Sequence, residues 1–175
     1  MFLSQASGLN LSKPLDGLSE SLLRIHRQAI STWVTSDDDT SPDWYATAAR
    51  PEQRPPLGDW RTWLILAGRG WGKTRTGAEW LRAQRDTCPR MAIIAPTFAD
   101  ARDTCVEGES GLLAICKPNE VTKWNRSIGE FEFSNGAQVK LFSGDKPARL
   151  RGPQHHALWF DELAAFQYVQ AAWDM

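Results

Sequence analysis

No run in this 175-residue chain approaches the ~20 consecutive apolar residues a membrane-spanning helix requires, so no membrane partner is expected. The opening residues, Met1-Phe2-Leu3-Ser4-Gln5, carry neither the basic nor the apolar stretch of a secretory signal. Cysteine is scarce: Cys88, Cys105 and Cys116 are the only three, with no C-x-x-C pair. That excludes a disulfide framework and a zinc ribbon and fits reduced thiols in a cytoplasm. The pair His155-His156 has no further ligand at helical or turn spacing, so zinc is not expected either. Charge of one sign is not in excess. A net charge of -1 gives no global signature of nucleic-acid binding. Internal repeats and long low-complexity tracts are absent, which excludes solenoid architectures.

What is present is unevenly distributed. Residues 36–60 are acidic, with Asp37, Asp38, Asp39, Asp43, Glu52 and Asp59 against Arg50 and Arg54. Residues 61–90 are basic, with Arg61, Arg69, Lys73, Arg75, Arg82, Arg85 and Arg90 against Glu79 and Asp86. That basic charge either faces phosphate or lies on a solvated helix face. The nine tryptophans read mostly as core and helix-packing residues. Residues 1–17 read as turn-rich. Leu18, Leu22, Ile25 and Ala29 share a face and predict an amphipathic helix over 18–35. An acidic, proline-containing connector follows over 36–58.

From residue 60 the rhythm is β-α-β. Trp63-Leu64-Ile65-Leu66 reads as a buried strand within 61–67, and a helix is expected over 73–86. Between them Ala67-Gly68-Arg69-Gly70-Trp71-Gly72-Lys73-Thr74 fits [AG]-x-x-x-x-G-K-[ST], the phosphate-cradling P-loop. Glycines let backbone N–H groups curl around phosphate oxygens, and the following helix N-terminus adds partial positive charge. Lys73 supplies a point charge for the β- and γ-phosphates, and the Thr74 hydroxyl a ligand for Mg²⁺. A nucleoside triphosphate is the expected ligand, with Ala67 through Arg75 forming its cradle. Arg90–Pro96 reads as a second parallel strand buried on both faces. Helices are expected over 98–106 and 109–116. A hairpin is expected from Glu130–Phe133 through Asn135-Gly136 to Gln138–Phe142. Ala157-Leu158-Trp159-Phe160 is a third apolar strand, with a helix to follow.

That third strand ends on Asp161-Glu162. A carboxylate there can hold Mg²⁺ together with Thr74, and a second can polarise an attacking water as general base. The alternative is an N-cap and first-turn residue of the next helix. Positive charge for the transferred phosphoryl can come from Arg69 within the loop, or from Arg149 and Arg151, which can equally be surface arginines. Gln53 can pair with adenine through its amide, or be a polar linker residue.

The assembled segments resemble the large terminase subunit of tailed bacteriophages, over about residues 44–175. The resemblance rests on Pro51-Glu52-Gln53, Gly58-Asp59-Trp60-Arg61, Leu66 to Arg75, Ala95-Pro96-Thr97 and Val106 to Leu113. It continues through Phe133 to Ala137, Leu150 to Gln154 and Trp159 to Ala164. It is nearest in look to terminases of prophages and gene-transfer-agent-like elements. It implies an α/β, additional-strand (RecA-like) P-loop ATPase fold with three layers. It implies Walker A at Ala67–Thr74, the Walker B aspartate at Asp161, the catalytic glutamate at Glu162, an arginine acting in trans at Arg151, and adenine recognition around Gln53. ATP and Mg²⁺ are the implied cofactors. The implied partners are double-stranded DNA, a small terminase subunit, the portal protein and copies of the chain in a ring, usually pentameric. The implied location is the host cytoplasm, transiently at the procapsid portal. The family's coupling motif and RNase H-like nuclease domain have no counterpart before residue 175. The expected organisation is therefore a helical segment and linker over 1–45 and an incomplete ATPase domain over 46–175, as a fragment or a truncated product. Two rivals remain. One is a helicase-like P-loop translocase, against which Ala164-Ala165 stands where a DEAD-type protein has Ala-Asp or Ala-His. The other is a nucleotide-binding remnant without turnover.

Overall fold

The structure is a computed structural model describing residues 2–4, whose backbone alone is considered, and 43–174. The chain divides into two compact units, Ser7–Arg50 and Met1–Ala6 with Pro51–Met175. Of the first unit, residues 43–50 are described. Trp44–Thr47 form one helical turn, α1, started by Asp43, whose carboxylate accepts the Tyr45 amide at 3.0 Å. The helix expected over 18–35 and the connector up to residue 42 lie outside the described residues.

The second unit is α/β, built on a seven-stranded mixed sheet in the order β2-β1-β7-β3-β6-β5-β4. The strands are β1 Phe2–Ser4, β2 Thr62–Trp63, β3 Arg90–Ala95, β4 Val121–Asn125, β5 Glu130–Phe133, β6 Gln138–Ser143 and β7 Ala157–Phe160. β3 runs parallel to both β6 and β7 and is buried throughout after Arg90. Its side chains alternate faces, as a strand's geometry requires. Met91, Ile93 and Ala95 join one apolar cluster with Trp80, Leu81 and Val106. Ala92 and Ile94 join another with Leu150, Phe160 and Phe166. Apolar packing on both faces is why this run carries no polar residue.

The helix expected over 73–86 is α2, Lys73–Ala83, prolonged by a 3-10 turn Gln84–Asp86. It lies so close to the sheet that a Cβ on Gly77 would come within 2.2 Å of the Trp159 ring on β7. The expected hairpin forms β5 and β6, antiparallel, with Gly136 at φ 85° in its turn. Asn135 anchors that turn by donating to Arg85 O at 3.1 Å and Asp86 Oδ1 at 2.9 Å. The strand β4, which extends the hairpin, is not anticipated by the pattern above.

Three expectations are corrected. Trp63–Leu66 is not a buried central strand. Only Thr62–Trp63 pairs, and it pairs antiparallel to β1, which stands between it and β7. Because β1 occupies the hydrogen-bonding edge of β7, the 62–66 segment packs through one face alone. Trp63 is buried, whereas Leu64 and Leu66 are 53% and 86% exposed. Phe2–Ser4 are accordingly strand and not part of a turn-rich segment. Finally, the helix over 98–106 is α-helical only at Phe98–Asp100 (α3). Ala101–Val106 continues as a π-helix. Two short α-helices complete the unit, α4 Leu112–Ile115 and α5 Val169–Trp173, the latter after a 3-10 turn at Leu163–Ala165. Among the described residues no helix is long and apolar enough to cross a membrane.

Candidate functional site

Two chain segments far apart in sequence meet at the carboxyl end of β7. One is the glycine loop that starts α2. Gly70 and Gly72 sit at φ 77° and 93°, left-handed values that other residues adopt only with strain. Gly72 is the N-cap of α2, so no side chain satisfies the first-turn N–H groups of the helix. Those N–H groups and the helix dipole make this end attractive to an anion. The other segment is Asp161-Glu162. The Asp161 amide donates to Ile94 O of β3 at 2.9 Å, which holds the turn against the sheet.

The meeting point is Lys73. Its Nζ lies 3.3 Å from Glu162 Oε1 and donates to Ala67 O at 3.2 Å and Gly68 O at 3.3 Å. The lysine is folded back over its own loop. A cleft of about 470 Å³ opens beside it. Arg69 to Arg75 line one wall, Thr104 and Gly108 to Ser110 another, and Glu162 closes the end. A smaller cleft of about 210 Å³ shares Lys73 and Glu162 and is lined also by Leu66, Ala67 and Asp161. Among the described residues the Thr74 hydroxyl makes no hydrogen bond, and its side chain lines the larger cleft.

Glu162 is the single non-glycine residue at positive φ among the described residues, at φ 46° and ψ 48°. A side chain in that region costs about 1–2 kcal/mol. Residues held so tend to cluster where function requires a particular direction. Asp161 beside it is buried. Burial first, and then the Glu162 charge, push its carboxyl above the ordinary range, while the Cys105 thiol and Lys73 act in the opposite sense. Two adjacent carboxylates, one of them desolvated, make a position that a cation would relieve.

A family model described as terminase large subunit, T4likevirus-type, N-terminal, matches residues 64–175. The chain belongs to this terminase large subunit family. Membership implies a role in phage DNA packaging and partners such as DNA and the portal. Searches of curated proteins and of solved structures return no match.

The remaining expected site residues of this terminase chain separate into two groups. Arg69, Trp71, Thr74 and Arg75 line the larger cleft with Lys73 and Glu162. Gln53 does not. It is buried, and its Nε2 donates to Thr76 Oγ1 at 3.1 Å and Trp71 O at 3.4 Å. Its amide braces the glycine loop from behind, and a Cβ on Gly72 would come within 2.9 Å of it. Arg151 is exposed just after the 3-10 turn Pro147–Leu150 and lines neither cleft, nor does Arg149. Thr104, Glu109 and Ser110 of the cleft, and Cys105 against Asp161, were not legible as site residues. Their one signal is position, just after a buried strand, where α/β sheets place ligands.

Proposed function

We propose that this terminase chain carries a P-loop ATPase site of the additional-strand type, with ATP as substrate and Mg²⁺ as cofactor. It would drive DNA through the portal into a procapsid. One observation carries the reading: the Lys73 ammonium and the Glu162 carboxylate, distant in sequence, meet within 3.3 Å over a cleft that begins at a helix N-terminus.

The residues suit a magnesium triphosphate. The glycine loop leaves open space, with no atom within 4 Å of an ideal Cβ on Gly68 or Gly70. The donor set is hard and oxygen-based on one side (Thr74, Asp161) and cationic on the other (Lys73, Arg69), as a magnesium triphosphate needs. Mg²⁺ supplies charge neutralisation across phosphate oxygens. Thr74 and Asp161 would hold it, and Ala67 through Arg75 would cradle the phosphates. Lys73 exchanges its loop carbonyls and Glu162 for phosphate oxygens. Glu162, released from that pair, orients a water molecule and takes its proton as the water adds to the terminal phosphorus and the bond to the bridging oxygen breaks. Arg69 offsets the charge that develops. Arg151, which lines neither cleft, is assigned to a neighbouring copy's site in a ring, usually of five. Gln53 positions the loop that carries the nucleotide. In this reading residues 46–175 belong to the ATPase domain, after a helical segment and linker over 1–45. The grip on duplex DNA is mainly to phosphates, because packaging must accept any sequence. A small terminase subunit selects the DNA, and the motor works in the host cytoplasm, transiently at the portal.

Binding and turnover measured separately test this. Lys73→Ala is expected to lower ATP turnover by about 10²–10³-fold. Its effect on stability should stay within about 1 kcal/mol, because Lys73 is only half-buried and its partner Glu162 is exposed. Wild-type turnover stimulated by DNA favours the motor, and tight ATP binding without turnover favours a nucleotide-binding remnant. Equal turnover in wild type and variant would remove the reading.

A further inference from the structure

Ala101–Val106 is the one π-helix among the described residues, and it has a consequence at the cleft. A π-helix bonds i to i+5, here Glu107 N to Arg102 O at 2.9 Å. The extra residue in that ring rotates the side chains along the helix relative to an α-helix. On this segment Thr104 lines the larger cleft, while the next residue, Cys105, is fully buried with its Sγ 3.6 Å from Asp161 Oδ2. Among the described residues that thiol is the one hydrogen-bond donor to the Asp161 side chain. In this pair the thiol donates and the ionised carboxylate, which has no proton to give, accepts.

We propose that Cys105 is a positioning residue: its thiol, presented by the π-helix, fixes the Asp161 carboxylate so that its remaining lone pairs face the smaller cleft, which shares Lys73 and Glu162 with the larger one. This rests on the reading of Asp161 as a holder of Mg²⁺. A carboxylate next to a second carboxylate has good reason to rotate away. A donor on one oxygen removes that freedom while leaving its charge in place. Neighbours that orient a metal-holding group in this way commonly matter to metal affinity by 10–100-fold. The π-helix supplies a reason for its own irregularity, because the same turn lines the nucleotide cleft through Thr104 and holds the carboxylate through Cys105.

The test uses the full chain with a fluorescent ATP analogue, titrated in excess Mg²⁺ and again in EDTA, for wild type, Cys105→Ala and Cys105→Ser. Cys105→Ala is expected to weaken binding about 10-fold in Mg²⁺ and to leave it unchanged in EDTA. Cys105→Ser, which keeps a donor, is expected to lie nearer wild type. Equal loss in EDTA, equal loss in the serine variant, or no loss in Mg²⁺ each overturns the proposal. An infrared arm needs no nucleotide. The Cys105 S–H stretch, assigned by its disappearance in Cys105→Ser, should move to higher frequency in Asp161→Asn, and an unmoved band overturns the contact. A wild-type chain that binds no nucleotide in either buffer refutes the ATPase reading and, with it, the purpose assigned to Cys105. A wild-type chain that binds more tightly with Mg²⁺, beside an alanine variant that behaves identically, refutes the positioning role alone.

Discussion

The two ends of α2 treat charge in opposite ways. At its carboxyl end Arg82 grips Glu120 through two hydrogen bonds, at 2.8 and 2.6 Å. Arg85 approaches the same carboxylate at 3.2 Å, and the Lys117 amide donates to it at 3.0 Å. Glu120 is buried, and its acceptor sites are used up. At the amino end Lys73 meets only an exposed carboxylate and two carbonyls of its own loop, and Glu162 sits in strained backbone. Both ends are rich in charge, yet one is closed and the other is poised to exchange partners. Saturated charge holds structure together, whereas charge left with weak, exchangeable partners is available for chemistry.

The contrast can be broken deliberately. Glu162→Gln should lower turnover by about 10²–10⁴-fold, the range for losing a general base, with nucleotide binding retained and the melting temperature nearly unchanged. Parallel binding and steady-state assays read this. A variant with wild-type turnover would move the base elsewhere.

At the other end Glu120→Gln should cost about 3–5 kcal/mol in urea unfolding, because two arginines lose their buried counter-charge. The pH dependence has a definite sign. Burial alone would raise the Glu120 carboxyl, but Arg82, the Lys117 amide and Arg85 outweigh it and hold it below its ordinary value of 4.5. A depressed folded-state pKa contributes stability above the unfolded value and loses it as pH falls through the folded one. Wild type should therefore lose stability below about pH 4.5 more steeply than Glu120→Gln. Superimposable acid limbs would contradict the assignment.

Gly77→Ala should cost about 1–3 kcal/mol, since the added methyl meets the Trp159 ring and either α2 or the ring must shift. Because Lys73 rides on the same helix, nucleotide binding should weaken too, which separates this change from a purely remote one. Smallest in stability is Glu162→Gly. It lowers turnover as Glu162→Gln does, but relief of the left-handed backbone should leave stability equal to wild type or raise it by up to about 1 kcal/mol. A drop in stability would mean that the strain is not there.

The sequence made the parallel strands β3 and β7, the helix α2 and the hairpin legible, because their signals are local: apolar runs, a Gly-Lys-Thr start and an Asn-Gly turn. The meeting of Lys73 with Glu162 was legible through motif order. The edge position of Thr62–Trp63 was not, since it depends on Phe2–Ser4 taking the neighbouring place, a partner choice no local pattern encodes. The left-handed Glu162 contradicts its residue preference, so no local pattern signals it. Gln53 was open between an adenine contact and a polar linker residue, and its buried amide turns to Thr76 and Trp71. Side-chain direction is decided by tertiary packing, as it is for Cys105 against Asp161.

The central claim is that Lys73 and Glu162 enclose a triphosphate. A crystal structure of the chain with Mg²⁺ and a non-hydrolysable ATP analogue tests it directly. It should show Lys73 Nζ off Glu162 and on phosphate oxygens, with the cation between Thr74 and Asp161. A triphosphate bound elsewhere, with the lysine still paired to Glu162, would contradict the account.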